Sequence, residues 1–139
     1  MLKVRIYSFG YKKSGVPADD SPNKGGFVFD CRFIYNPGRK KEFASLTGLD
    51  KDVSEFLDNQ KEMQDFLKNI FNIVKPAVDN YLSRDFTSLF IGFGCTGGQH
   101  RSVYASDKLR DYLNEAYKDK IIIELTHKEF PQISPHWQR

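Results

Sequence analysis

Residues 2–8 alternate apolar and polar side chains, with Leu2, Val4 and Ile6 set against Lys3, Arg5 and Tyr7, which is the period of a half-buried strand. The alternation stops at Phe9-Gly10. Residues 11–26 are rich in Gly, Pro, Ser, Asn, Asp and charge and read as a loop of the length that is usually functional or mobile. A second strand is predicted over 27–34 (FVFDCRFI), with Asp30 and Arg32 two positions apart and therefore on one face. Asn36-Pro37-Gly38 ends it. Asp50 or Asp52 can then cap a short helix, Glu55 completing a capping box with Asp52. A longer helix follows Asn59, with Glu62 in the same relation and Met63, Phe66, Leu67, Ile70, Phe71, Val74, Ala77, Val78 and Tyr81 forming one apolar stripe. Pro76 removes a backbone donor inside that helix, which predicts a kink or break over residues 72–75.

Residues 87–93 are mostly apolar and predict a buried strand that runs into Gly94-Cys95-Thr96-Gly97-Gly98-Gln99-His100-Arg101-Ser102. Helical spacing resumes there, with Ala105, Leu109, Tyr112, Leu113 and Ala116 as the buried face. A last strand is predicted over 121–125, and residues 131–139, with two prolines, predict an irregular tail. Strands separated by helices point to an α/β fold, a three-layer sandwich around a mainly parallel sheet of about four strands, because parallel neighbours need long crossovers. The 139 residues fit one domain, 1–139, which at this size buries roughly 68–70% of the unfolded chain's surface.

Composition narrows the function classes. Hydrophobic residues at 40% and charged residues at 28% exclude a disordered chain. A net charge of +3 permits a basic patch but falls short of the footprint of a dedicated nucleic-acid domain. Cys31 and Cys95 read as reduced thiols rather than a disulfide scaffold. The N-terminus has no long apolar run, and no stretch approaches 18 apolar residues, so the expectation is a cytoplasmic protein with no membrane partner.

The loop after the third strand lies at the carboxyl edge of a parallel sheet, where such folds place ligands. Gly94, Gly97 and Gly98 allow close approach to the main chain. The first N–H groups of the following helix are unpaired and carry its positive dipole end. Arg101 can add a charged clamp, and Thr96 and Ser102 add hydroxyl donors. The turn reads as a phosphate cradle. The bland alternative is a tight turn capped by His100, Arg101 and Ser102. No Gly-x-x-x-x-Gly-Lys-Ser/Thr occurs, so a Walker-type site is unsupported. The same letters also match Cys-x-x-Gly-x-x-Arg-Ser, the phosphate loop of cysteine-dependent phosphatases, with Cys95 as thiolate nucleophile and Arg101 gripping the phosphoryl oxygens. Gly94 stands where such phosphatases usually carry His. The general acid would be Asp19, Asp20 or Asp30, with no pattern to choose among them.

The stretch GCTGGQHRSVYASDKL, with SFGYK (residues 8–12), FDCRF-x-x-NP (29–37) and LTGLD (46–50) in the same order, resembles the C-terminal domain of the RapZ family of RNase adapter proteins, also described as YvcJ-like nucleotide-binding proteins. The resemblance spans residues 8–113. It implies an α/β domain that binds an amino-sugar phosphate and, in the best-known members, a small regulatory RNA and a ribonuclease. Full-length relatives carry a Walker-motif domain as well, and nucleotide hydrolysis is not carried over to these residues. Residue by residue, the family pocket maps onto Asp30, Arg32, Asn36, Cys95, Thr96, Gly97, Gly98, His100, Arg101 and Ser102. The ligand expected is a phosphorylated small molecule, a hexosamine phosphate; no cofactor or metal is expected, and RNA, a protein partner or a homo-oligomer is left open. Tyr35 replaces a usual proline, Gly38 stands where some relatives have His, and the loop over 13–26 is longer.

Blander readings stand beside these. Asp30 and Arg32 can be a simple ion pair on a strand, the type of contact that contributes only ~0.2–1 kcal/mol. Arg39, Lys40 and Lys41 read more readily as a solvated loop than as an RNA contact. His127 and His136 lack metal-ligand spacing. Trp137, near Lys128 and Arg139, fits a packed tail better than a base-stacking platform.

Overall fold

The computed structural model describes residues 1–132, so His136, Trp137, Arg139 and most of the expected irregular tail lie outside the described residues. The alternation at the start of the chain forms β1 (Leu2–Gly10), whose Leu2, Val4 and Ile6 are buried while Lys3, Arg5 and Tyr7 are half-buried. β2 (Gly26–Asp30), β3 (Ser88–Cys95) and β4 (Ile121–His127) complete a four-stranded sheet in the order β2-β3-β1-β4, with every neighbouring pair parallel. β3 is central and buried along its whole length, which explains why its sequence is a near-continuous apolar run rather than an alternating one.

Three helices, α1 (Lys51–Asp58), α2 (Lys61–Ser83) and α3 (Arg101–Tyr117), carry the connections from β2 to β3 and from β3 to β4. Both crossovers step across the sheet in the same direction, so right-handed connections place their helices on the same face. There Val53, Leu57, Leu67, Ile70, Val74, Leu109 and Leu113 join Val4, Ile6, Leu89, Ile91 and Phe93 in one hydrophobic cluster. The step from β1 to β2 runs the other way, without a helix, and lays residues 11–25 over the opposite face, where Asp20 meets Arg5 at 3.2 Å. The sandwich is a helical layer, a parallel sheet and a loop layer. Among the described residues no helix is long and apolar enough to cross a membrane.

Several local expectations are corrected. The second strand stops at Asp30 instead of reaching Ile34, because Arg32 N–H turns back onto Asp30 Oδ1 (2.8 Å) and Ile34 N–H onto the Cys31 carbonyl (3.2 Å). Asp50 stands at the N-cap of α1, yet its carboxylate accepts from Thr47 N–H at 2.7 Å rather than from the helix. Asn59 closes α1, and α2 opens after Gln60 with no capping side-chain bond. α2 also runs through Pro76 unbroken. Pro76 and Asn72 are both exposed, so the carbonyl that loses its partner is solvated while Ile70, Val74 and Val78 stay buried on the other side. On α3, Ala105, Leu109 and Leu113 are buried as the spacing predicts; Tyr112 is half-buried and stacked on Phe71, and Ala116 is exposed while the next residue, Tyr117, is buried in the core.

Candidate functional site

Parallel register puts the ends of three strands together at one edge. Asp30 pairs with Gly94 across β2 and β3, and Gly10 pairs with Cys95 across β1 and β3. The turn over residues 96–100 is anchored on both sides. Tyr11 N–H donates to the Cys95 carbonyl (2.9 Å) and Lys12 N–H to that of Thr96 (3.1 Å), while Gly48 N–H donates to the Gln99 carbonyl (3.0 Å). Gln99 Nε2 donates to the carbonyls of Ala44 (2.7 Å) and Leu46 (2.8 Å). Gly98 has a left-handed φ of 70°, and its missing side chain admits the backbone of Gly10 at close range. Gly97 is different. Its φ is not left-handed, and nothing lies within 4 Å of where a Cβ would stand, so nothing inside the protein requires glycine there.

Two small cavities meet at this turn. One, of about 220 Å³, is lined by Asn36, Gly38, Ala44, Cys95, Thr96, Gly97, Gln99, His100 and Arg101. Its neighbour, of about 310 Å³, is lined by Arg32, Phe33, Ile34, Tyr35, Asn36, Arg39, Thr96 and Arg101. Arg101 is common to both and only 4% exposed. Its Nη1 donates to the carbonyls of Arg32 (2.9 Å) and Ile34 (2.8 Å), and its Nε has no hydrogen-bond partner. Among the described residues no carboxylate lies within ion-pair distance of it. Cys95 is buried with its Sγ 3.1 Å from Ser102 Oγ, so the hydroxyl predicted as a ligand donor is turned to the cysteine instead.

His100 Nε2 lies 2.9 Å from the Phe43 carbonyl. Burial pushes its pKa below 6.5, against the pull of the Phe43 and Leu46 carbonyls; Arg101 pushes the same way as burial, and Asp50 opposes it. The ring is therefore neutral at pH 7.

Asp30 and Arg32 sit on the same edge as Cys95 but are engaged with each other. Arg32 Nη2 to Asp30 Oδ2 is 2.7 Å, Nε reaches both carboxylate oxygens, and the guanidinium lies 3.9 Å over the Tyr11 ring. The hydrogen bonds from Arg32 hold the Asp30 carboxyl below its usual range despite the opposing cost of burial. Arg32 lines the second cavity; Asp30, Gly98 and Ser102 line neither. Sequence reasoning passed over Arg39, Gln99 and Ala44. The signal for Arg39 was the Asn-Pro-Gly that precedes it: Asn36 caps the single turn Pro37–Arg39, which brings Arg39 back toward the edge. Glu129 was also missed. Its carboxylate accepts from Gly10 N–H and Ser14 N–H (both 3.0 Å) and Ser14 Oγ (2.9 Å), fastening the start of the loop layer beneath the turn.

The three candidate general acids all have structural partners. Asp19 accepts from Ser21 and Gly25 N–H, Asp20 pairs with Arg5, and Asp30 pairs with Arg32. Among the described residues, no group of three or more His, Cys, Asp or Glu is placed to hold a metal ion.

Comparison with known proteins accounts for nearly all of the chain. The model of the RapZ C-terminal domain family matches residues 2–131. A nucleotide-binding protein of Thermotoga petrophila is 41% identical over 110 residues, covering 79% of this chain and 37% of its own length. One from Thermosipho melanesiensis is 40% identical over 123 residues (88% and 41%), and one from Lactobacillus helveticus is 36% identical over 128 residues (92% and 40%). The chain spans about two-fifths of the length of these relatives. With the family pattern matched from the first strand to beyond the last, the chain belongs to the RapZ C-terminal domain family.

Proposed function

We propose that the turn over residues 94–102 binds the phosphate of a phosphorylated small molecule, an amino-sugar phosphate, and that the domain serves as a ligand-responsive adapter rather than as a catalyst. The observation that carries this reading is Arg101. A buried guanidinium with no carboxylate beside it is costly unless its charge is met, and two carbonyls supply only partial compensation. A phosphate in the adjoining cavities would lie against the Arg101 guanidinium, whose buried Nε has no partner, and beside the start of α3. Gly97 supports the same reading: a glycine the fold does not need, on the wall of the cavity, keeps the main chain bare for a ligand.

The relatives' description as nucleotide-binding proteins belongs to chains more than twice as long, and a phosphate cradle is compatible with a nucleotide's phosphate. Calorimetric titration with inorganic phosphate, a panel of sugar phosphates and nucleoside monophosphates separates these ligands. Binding of a hexosamine phosphate tighter than about millimolar, lost in Arg101→Ala and weakened in Gly97→Ala, is expected. Failure of every phosphorylated compound to bind would sink the proposal.

A cysteine-dependent phosphatase is the competing chemistry, and the Cys95–Ser102 contact favours it as far as it goes. Against it, none of Asp19, Asp20 and Asp30 is free to serve as the acid. No turnover of aryl phosphates is expected, and turnover abolished by Cys95→Ser would reverse this conclusion.

A further inference from the structure

The chain has two cysteines, and the sheet brings them side by side. Asp30 pairs with Gly94 at the end of the β2–β3 ladder, and Cys31 N–H donates to the Gly94 carbonyl at 2.7 Å. The parallel register therefore carries one step further and sets Cys31 beside Cys95. Neighbouring strands lie about 4.8 Å apart, inside the ~4.4–6.8 Å between Cα atoms that a disulfide spans. The side chains share a face as well. Phe27 pairs with Ile91 and Phe29 with Phe93 on the side that the helices cover, and alternation places Cys31 and Cys95 next on that side. Both belong to the one buried cluster, and both are free thiols.

Their surroundings differ. Cys95 lines the 220 Å³ cavity, with its Sγ 3.1 Å from Ser102 Oγ, whereas Cys31 is fully buried and lines neither of the cavities that meet at the turn. A peroxide is little larger than a water, which takes ~30 Å³, so the cavity admits it to Cys95. Burial pushes the Cys31 thiol well above its ordinary pKa, with the charge of Cys95 adding to that, Arg101 opposing it and Asp30 reinforcing it. Cys31 thus stays protonated and unreactive until the sulfur beside it has been made electrophilic.

We propose that Cys31 and Cys95 are a peroxide-sensitive modification site, in which Cys95 is the residue oxidised and Cys31 the one that resolves it, closing a disulfide across the ends of β2 and β3. The Cys95 sulfur attacks one oxygen of hydrogen peroxide, the O–O bond breaks, and the products are a sulfenic acid at Cys95 and water. The Cys31 sulfur then attacks the sulfenic sulfur, the S–O bond breaks, and the Cys31 proton leaves with the hydroxyl as a second water. Together the thiols give up two electrons and the peroxide takes them. The new bond draws Cys95 Sγ away from Ser102 and ties the turn to the loop after β2, the same loop whose Arg32 and Ile34 carbonyls Arg101 holds. On the phosphate reading of the turn, on which this consequence rests, oxidation weakens anion binding.

The test treats the unsubstituted protein and Cys31→Ala with hydrogen peroxide and follows intact mass, alkylation of thiols after denaturation, and affinity for inorganic phosphate. The unsubstituted protein is expected to lose two hydrogens and both alkylatable thiols, to give a linked peptide pair holding Cys31 and Cys95, and to regain both thiols with dithiothreitol. Cys31→Ala is expected to stop at a Cys95 sulfenic acid that dimedone traps. Oxygen added at Cys95 of the unsubstituted protein while Cys31 remains alkylatable overturns the proposal. So does survival of both thiols at a peroxide dose that fully oxidises free cysteine, or a disulfide formed only between molecules. Phosphate affinity is expected to fall about tenfold in the cross-linked chain and to return on reduction. An unchanged affinity there overturns the link between the disulfide and the turn. Failure of the reduced chain to bind phosphate counts against the phosphate reading alone, because the mass and the thiol count do not depend on it.

Discussion

Arg101 Nη1 donates to the Ile34 carbonyl at 2.8 Å and so ties the first turn of α3 to the loop that follows β2. A residue at the end of the turn thereby also fixes the wall opposite. Arg101→Ala removes two hydrogen bonds and leaves the carbonyls of Arg32 and Ile34 without that donor. Denaturant unfolding should show a loss of about 1–3 kcal/mol, and phosphate binding should disappear. Arg101→Lys, which keeps the charge without the fork, should recover part of the stability and less of the affinity.

His127 is 1% exposed, with Nδ1 2.6 Å from Ser8 Oγ and Nε2 unpartnered. Burial depresses its pKa from 6.5 to about 4, with Asp107 opposing and Arg110 reinforcing. The unfolded chain therefore binds a proton between these values that the folded chain refuses, and stability falls as pH drops from 6.5 toward 4. The full effect is about 3 kcal/mol, with His100 adding in the same sense. Unfolding free energies measured between pH 7 and pH 4 should follow this slope, and His127→Gln should flatten it.

Glu129 holds Gly10 and Ser14 through three contacts. Burial raises its pKa, but the two N–H donors, the Ser14 hydroxyl and Lys13 together leave it lowered, so its contribution is present above the unfolded carboxylate value and is lost as pH falls through the folded one. Glu129→Ala should cost about 1–2 kcal/mol and speed amide exchange at Gly10 and Ser14. Unchanged exchange there would mean that the loop layer is held by other contacts.

Arg39, Lys40 and Lys41 follow the Asn36-Pro37-Gly38 turn, Lys12 N–H donates to the Thr96 carbonyl, and the net charge is only +3. RNA binding, where measured, should be weak and should fall linearly in log affinity against log salt. A nanomolar, salt-insensitive complex would contradict this.

The sheet was largely legible because its pattern is one-dimensional: the alternation over Leu2, Val4 and Ile6 and the apolar run of β3 are direct consequences of burial on one face or two. The turn was legible because Cys95 through Ser102 are contiguous. Arg32 was misplaced because an Asp two residues earlier can turn the chain back on itself, and alternation carries no warning of that. That Pro76 does not break α2 was not legible, because the cost of an interrupted ladder depends on whether the freed carbonyl meets water, which only the packing decides. Arg39, Gln99 and Glu129 reach the edge through contacts between distant segments, and no local spacing encodes these.

Amide chemical-shift mapping during titration with inorganic phosphate tests the central claim most directly. The N–H resonances from Thr96 to Ser102 and the Nε–H of Arg101 should move together with a single dissociation constant, and Gly97→Ala should fold normally while weakening that response. Shifts confined to the exposed lysines, or none at all at millimolar phosphate, would contradict the claim that this turn is an anion site.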